Sequence, residues 1–144
     1  MISISIDLVS PHALLFGDGM WTKYTVDYTQ LASGFSNFDL TFASLPAKRM
    51  LLAVCIKHST SFSGGALTAY TLSVGLSGNT NKYASAFDVL QAPGNAIAQV
   101  STGGWCEDFA SSTTVRVRAT ATGGATNAAT QGTADIWLYT TDLP

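Results

Sequence analysis

Charge is what this sequence has least of. Charged residues make up 11% of its 144 positions, whereas soluble proteins typically carry about 25%. The net charge is −2, and the seven lysines and arginines are dispersed from Lys23 to Arg118. Nucleic-acid binding needs clustered cations facing phosphates, so the composition disfavours that class of function. A surface rich in uncharged hydroxyl groups fits an ordinary neutral β-sandwich or one partly buried in an assembly, and we favour the assembly.

Long apolar runs are also missing. The longest uninterrupted one, Met50–Ile56, is far shorter than the roughly 20 residues of a membrane-spanning helix. Because Val and Ile favour strands, we interpret it as a strand buried on both faces. The N-terminus has no basic region and its apolar residues alternate with polar ones. We therefore expect no signal peptide and no membrane association.

Cysteine and catalytic motifs are scarce. Cys55 and Cys106 are too few for a disulfide framework or a zinc site, and we expect two free thiols, with Cys55 a small core residue. A Cys55–Cys106 bridge stays open. His12 and His58 are isolated, and the adjacent acids Glu107 and Asp108 would point to opposite faces of a strand. No nucleophile elbow or phosphate loop occurs, so we predict no enzymatic activity, no metal and no cofactor.

What the sequence does contain is repeated two-residue alternation of apolar and polar side chains. This period is typical of strands with one buried face. We predict one domain, residues 1–144, as an all-β antiparallel β-sandwich, jelly-roll-like, with about eight strands. The strands are predicted near residues 2–8, 20–29, 38–42, 49–58, 70–76, 96–101, 113–122 and 133–140.

Two segments interrupt this pattern. Ser59–Gly65 is predicted as a flexible loop with one exposed aromatic, Phe62. Residues 82–90 fit both a strand and a short helix, and we favour an irregular segment with a helical turn.

The last predicted strand carries bulky residues on both faces. If Ile136 and Leu138 face the core, Trp137 and Tyr139 face outward. Such a strand is either central in its sheet or covered by a partner, and exposed aromatic patches usually mark a partner. We therefore predict a homo-oligomer, with a trimer favoured. The competing interpretation is that the loop at residues 103–109 covers these aromatics within one chain.

Four aromatics, Trp21, Phe62, Trp105 and Trp137, could also form a sugar-binding platform. Core and interface packing is the more common role of such residues, and we prefer it. The candidate interface residues are Trp137, Tyr139, Trp105 and Phe62.

The second half of the chain, residues 67–144, resembles small bacteriophage virion-associated proteins. At Leu67–Leu90, an alternating strand ends in Val-Gly and is followed by a polar turn, a Lys-Tyr and an Asp-Val. Further on, Val115-Arg116-Val117 precedes a loop of Gly, Ala, Asn and Thr. After that loop come the segment Gly132–Tyr139 and a terminal Leu-Pro.

This resemblance implies a β-sandwich built into a virion and brings no catalytic residues with it. The favoured function is a capsid decoration (cement) protein that binds the major capsid protein or other virion proteins and stabilises capsomer contacts. It would be assembled in the host cytoplasm. The alternative is a tail, fibre or receptor-binding domain whose loop aromatics, such as Phe62 and Trp105, contact a host-surface glycan or protein. A glycan-cleaving enzyme would need facing carboxylates, which the sequence does not offer.

Overall fold

Strands dominate the computed structural model, which describes residues 19–93, 99–102 and 109–142. Within these residues there are eight strands and one short 3₁₀ turn. They are β1 (Met20–Asp27), β2 (Asn37–Leu45), β3 (Arg49–Ser63), β4 (Ala69–Leu76), β5 (Asn79–Asp88), β6 (Gln99–Thr102), β7 (Thr113–Thr122), the 3₁₀ turn (Thr126–Ala128) and β8 (Gln131–Asp142). The described residues contain no helix that is both long and apolar enough to cross a membrane.

The strands form two four-stranded sheets. The first sheet has the order β1-β8-β3-β6 and the second the order β2-β7-β4-β5. Every pairing is antiparallel. The prediction of an all-β antiparallel sandwich of about eight strands is confirmed.

Four of the pairings are nested along the chain. β4 pairs with β5, β3 with β6, β2 with β7, and β1 with β8. Successive nested pairs alternate between the two sheets. This nesting brings the two ends of the described chain side by side, at the edge of the first sheet.

The core lies between the two sheets and is built from the inward residues of each strand. On β7 the residues Val115, Val117 and Ala119 are each 0% exposed, whereas Arg116 and Arg118 between them are half-buried on the outer side. This alternation follows from the opposite directions of successive side chains along a strand. The strand predicted at residues 113–122 is therefore confirmed, with the alternation of buried and exposed side chains that its sequence shows.

The apolar run at residues 50–56 lies in β3, which is flanked by β8 on one side and β6 on the other. Leu51, Val54 and Ile56 join the core between the sheets. Cys55 points the other way and is half-buried. The prediction of a strand is confirmed and residues on both of its faces are largely buried, but Cys55 is wrong as a core residue because its position in the alternation is outward.

The predicted loop at Ser59–Gly65 is wrong for most of its length, since β3 continues through Ser63. The predicted exposure of Phe62 is wrong as well. The ring is 0% exposed and stacks on Tyr70, with ring centroids 5.0 Å apart and planes at 22°. Gly132 has a φ of +146°, and any side chain there would overlap the Phe62 ring. The missing side chain of Gly132 therefore makes the space that the ring fills.

The helical turn predicted within residues 82–90 is wrong, because β5 runs through this segment to Asp88. The sequence fits a strand and a helix equally well here, and pairing with β4 decides between them. Leu72 lies opposite Phe87, and Leu76 lies opposite Asn79. Since Ser77 and Gly78 alone separate the two strands, a hairpin brings β5 back along β4.

Three predictions fall wholly or partly outside the described residues. These are the N-terminal strand at residues 2–8, the loop at residues 103–109 apart from Phe109, and the first part of the strand predicted at 96–101. The last of these is represented by β6, Gln99–Thr102.

Candidate functional site

The outer surface of the first sheet carries a continuous group of apolar side chains. On β8, Ala134, Ile136 and Leu138 face the core at 0%, 0% and 1% exposure. Trp137 and Tyr139 occupy the alternate positions of the strand and therefore point to the outer surface. This orientation confirms the conditional prediction from the sequence, and β8 is central in its sheet, between β1 and β3.

Neighbouring strands extend this group in rows across the sheet. Tyr139 lies opposite Trp21 on β1 and opposite Ala53 on β3. The rings of Trp21 and Tyr139 are in contact, with centroids 5.0 Å apart and planes at 36°. Directly opposed side chains of antiparallel strands share a face, so these three residues form one row.

A second row lies next to the first. Trp137 is opposite Lys23 on β1 and Cys55 on β3. The Lys23 ammonium lies 5.6 Å from the Trp137 ring centroid and also 3.0 Å from a carboxylate oxygen of Asp135. A cation over an indole face contributes modest stabilisation. Trp137 is half-buried.

An irregularity in β3 widens the apolar surface. The register with β8 shifts between Leu51 and Ala53, as it does when a bulge inserts an extra residue into one strand. Leu52 and Ala53 then pack with Tyr139 in a small cluster separate from the core, with Met50 against it. We call the outward group of Trp21, Trp137, Tyr139, Met50, Leu52 and Ala53 the aromatic face.

The aromatic face is only partly exposed. Tyr139 is 8% exposed, whereas Trp21 is 46% exposed and the neighbouring Met20 is 52% exposed. Gly19 lies so close to the phenol of Tyr139 that any side chain at this position would overlap it. The expectation of two exposed aromatics on β8 is therefore wrong for Tyr139, because the chain at Gly19 covers it. The exposed part of the face lies at β1.

The structure separates the four candidate interface residues. Trp137 and Tyr139 belong to the aromatic face, Phe62 lies in the core, and Trp105 lies outside the described residues. Trp21 was missed as an interface candidate. Its place at the start of the alternating stretch at residues 20–29 could have indicated an exposed strand end.

Of the candidate acid–base or nucleophilic residues, the structure describes Cys55 and His58, which point to opposite faces of β3. Cys55 has a free thiol beside Trp137, and burial raises its pKa while Lys57 partly opposes that shift. His58 is 1% exposed in the core, where its Nε2 donates to the Gln91 carbonyl oxygen at 2.8 Å. Among the described residues, no group of three or more His, Cys, Asp or Glu side chains is placed to hold a metal ion.

Comparison with known proteins shows which other chains share this architecture. A chain in the capsid asymmetric unit of cyanophage Pam1 is 24% identical, with a TM-score of 0.64, and the match covers 100% of this chain and 98% of that chain. A chain in the capsid of Ralstonia phage GP4 is 22% identical, with a TM-score of 0.58, and the match covers 90% of this chain and 88% of that one. No protein-family model and no curated protein matches.

At these identities the likeness concerns the fold. The chain has the fold of chains found in phage capsid structures. The resemblance to phage virion proteins seen in the second half of the sequence is confirmed at this level, and the match extends it to the first half as well.

Proposed function

We propose that this chain is a non-enzymatic structural protein of a bacteriophage virion, and specifically a capsid decoration protein that binds the shell and stabilises contacts between capsomers. The observation that carries the proposal is the length of the match. The Pam1 capsid chain and this chain cover each other at 98% and 100%. A whole small chain of this fold is therefore present in a phage capsid, which is the setting that a decoration protein requires.

We also infer that the sandwich is a jelly roll. Eight strands in two antiparallel sheets, paired in nested order with successive pairs in alternate sheets, are what results when one long hairpin is wrapped around a core. Jelly rolls have eight strands in two sheets and are common in viral capsid proteins.

The aromatic face supports a homo-oligomeric form of this protein. Its most exposed residue, Trp21, is 46% exposed, and Trp137 on the neighbouring strand is half-buried. Closed symmetry allows every copy to bury the same patch. A trimer is favoured because decoration proteins and fibres often sit on threefold axes of phage particles.

The alternative of a tail or fibre domain is less well supported. It relied on loop aromatics, and one of the two, Phe62, is fully buried beneath β8. The two solved structures described above, which share this fold, are phage capsids. The decoration role therefore remains the proposal.

Copy number in purified virions tests the capsid role directly. Quantitative mass spectrometry should find this chain at a stoichiometry comparable to that of the major capsid protein. A handful of copies per particle would favour the tail, and absence from the particle would overturn both virion roles.

Light scattering on the purified chain tests the assembly role. We expect a trimer at micromolar concentration for the wild type and a smaller species for Trp137→Ser. A monomeric wild type, with a variant that is merely destabilised, would mean that the face is internal.

A further inference from the structure

A second surface feature lies on the opposite sheet, beside the loop that joins β1 to β2. Phe35 in this loop is 76% exposed, more than Met20 or Trp21. Phe35 lines an open cavity of about 320 Å³ beside β2, an edge strand of the second sheet. The cavity is lined by Ser33, Phe35, Asn37, Phe38, Asp39 and Arg118.

The loop that carries Phe35 is held by hydrogen bonds along its length. The Phe35 carbonyl accepts from the Thr126 amide at 2.9 Å, and the Ser33 amide donates to the Thr126 hydroxyl at 2.8 Å. The Ser36 carbonyl accepts from the Ala121 amide at 2.8 Å. Thr126 itself is 0% exposed. The aromatic ring is thus presented to solvent by an ordered backbone, which lowers the entropy cost of using it for binding.

Two of the residues that line the cavity, Asp39 and Arg118, form an ion pair joined by two hydrogen bonds. Arg118 donates from Nε to Asp39 Oδ1 at 2.6 Å and from Nη2 to Oδ2 at 2.8 Å. The two bonds hold both planar groups in one orientation. They leave further N–H donors on the guanidinium and further lone pairs on the carboxylate. The Arg118 hydrogen bonds also hold the pKa of Asp39 below its ordinary value, so the carboxylate remains an acceptor in mild acid.

The charges of this cavity restrict the class of ligand. Asp39 opposes an anion and Arg118 opposes a cation, and the lining positions carry no other charged group, while Arg116 outside the lining also acts on Asp39. A purely apolar ligand would leave the remaining donors of Arg118 and acceptors of Asp39 without hydrogen bonds, and this is unfavourable once these groups are desolvated. What remains is a neutral molecule with many hydroxyl groups and one apolar face.

We propose that this cavity is a binding site for a neutral sugar. The apolar face of a pyranose would stack on Phe35, while its hydroxyl groups would donate to Asp39 and accept from Arg118 and Asn37. The volume lies at the lower end of the roughly 300–1,000 Å³ range of ligand pockets, as suits one or two sugar rings. The site is separate from the aromatic face and does not depend on the decoration role.

Saturation-transfer NMR on the purified full chain tests the proposal, with the methyl glycosides of glucose, galactose, mannose and N-acetylglucosamine as probes. At about 10 mM, which detects affinities in the millimolar range, we expect transfer to the ring protons of at least one probe. Phe35→Ala should weaken its affinity about tenfold, as loss of an aromatic stack does. Asp39→Asn should weaken it as well.

The controls separate this site from other surfaces. Trp21→Ala removes an exposed aromatic from the opposite sheet and should leave sugar binding unchanged. Oligosaccharides of the preferred sugar distinguish a polymeric ligand, bound more tightly with length, from a single terminal sugar. Absence of transfer with all four probes would overturn the proposal. So would transfer that survives Phe35→Ala, or displacement of the sugar by inorganic phosphate.

Discussion

The outer faces of the two sheets differ in chemistry although both sheets share one core. On the first sheet, the outward positions of β1, β8 and β3 hold Trp21, Tyr139 and Ala53 in one row. On the second sheet, the corresponding row of β2, β7 and β4 holds Asp39, Arg118 and Ser73. We call this second surface the polar face. Formation of the core requires apolar residues only at the inward positions. The outward residues are therefore free to differ between the two faces, according to what each face contacts.

The aromatic face is typical of a surface buried in an assembly, since large apolar groups that stay exposed usually mark a partner. The polar face can remain in water, because the ion pair of Asp39 and Arg118 is partly exposed to solvent. This difference predicts that substitutions on the two faces alter different properties of the protein.

The largest difference in stability is expected between substitutions at two neighbouring residues of β8, Ile136 and Trp137, which point in opposite directions. Ile136→Ala removes a side chain that is 0% exposed in the core and should lower the free energy of unfolding by about 2–5 kcal/mol. Trp137→Ala, on the aromatic face, should cost about 1 kcal/mol in the monomer, since its ring is only half-buried. Urea denaturation at dilute protein concentration measures both. Equal losses would mean that the aromatic face is part of the monomer's core.

A second comparison concerns self-association. Trp21→Ser, on the exposed part of the aromatic face, should weaken assembly about tenfold or more, as loss of a central aromatic does. Phe35→Ser, at the edge of the polar face, should leave assembly unchanged. Sedimentation velocity across a concentration series measures both variants. An equal effect of the two substitutions would remove the functional distinction between the faces.

A smaller effect is expected within the polar face itself. Asp39→Asn disrupts the fork with Arg118, whose side chains are 23% and 39% exposed. Because solvent screens such a pair, we expect a loss of only about 0.5 kcal/mol. Asp142→Asn disrupts the more exposed pair with Arg49, where the carboxylate is 74% exposed, and serves as the matched control with a still smaller loss. Thermal unfolding of both variants would test this ranking.

The smallest effect is the pH dependence of the same pair. The pKa of Asp39 is lower in the folded protein than its ordinary value of 3.8, chiefly through the Arg118 hydrogen bonds. Its stabilising contribution is therefore present above pH 3.8 and is lost as the pH falls through the depressed folded value. The stability difference between wild type and Asp39→Asn should be constant near neutrality and shrink in acid. A difference that grows in acid would contradict this sign.

Much of the fold could be predicted from local pattern. The alternation of apolar and polar residues is enough to predict a strand such as β7. The apolar run at residues 50–56 is enough to predict that β3 is buried on both faces. Phe62 could not be placed in this way. Its neighbours are Ser, Thr and Gly, which are typical of loops, and the segment is a strand because it pairs with β8, from Thr60 opposite Thr133 to Ser63 opposite Gln131.

The candidate site was predicted in part. The outward direction of Trp137 and Tyr139 follows from the two-residue period. Their partner Trp21 could not be linked to them, because nothing local connects β1 to β8. The burial of Tyr139 depends on the close approach of Gly19, which is a contact across two strands.

The sequence by itself determined the strands that have clear alternation, such as β7, and which of their residues point inward, because both depend on the period of a few adjacent side chains. Only the tertiary structure decided which outward residues meet. Asp39 and Arg118 are 79 positions apart and form one fork, and Thr25 and Asp135 share a hydrogen bond across 110 positions. These pairs exist because the nested strand order brings early and late segments together, and register between distant strands is a property of the folded chain as a whole.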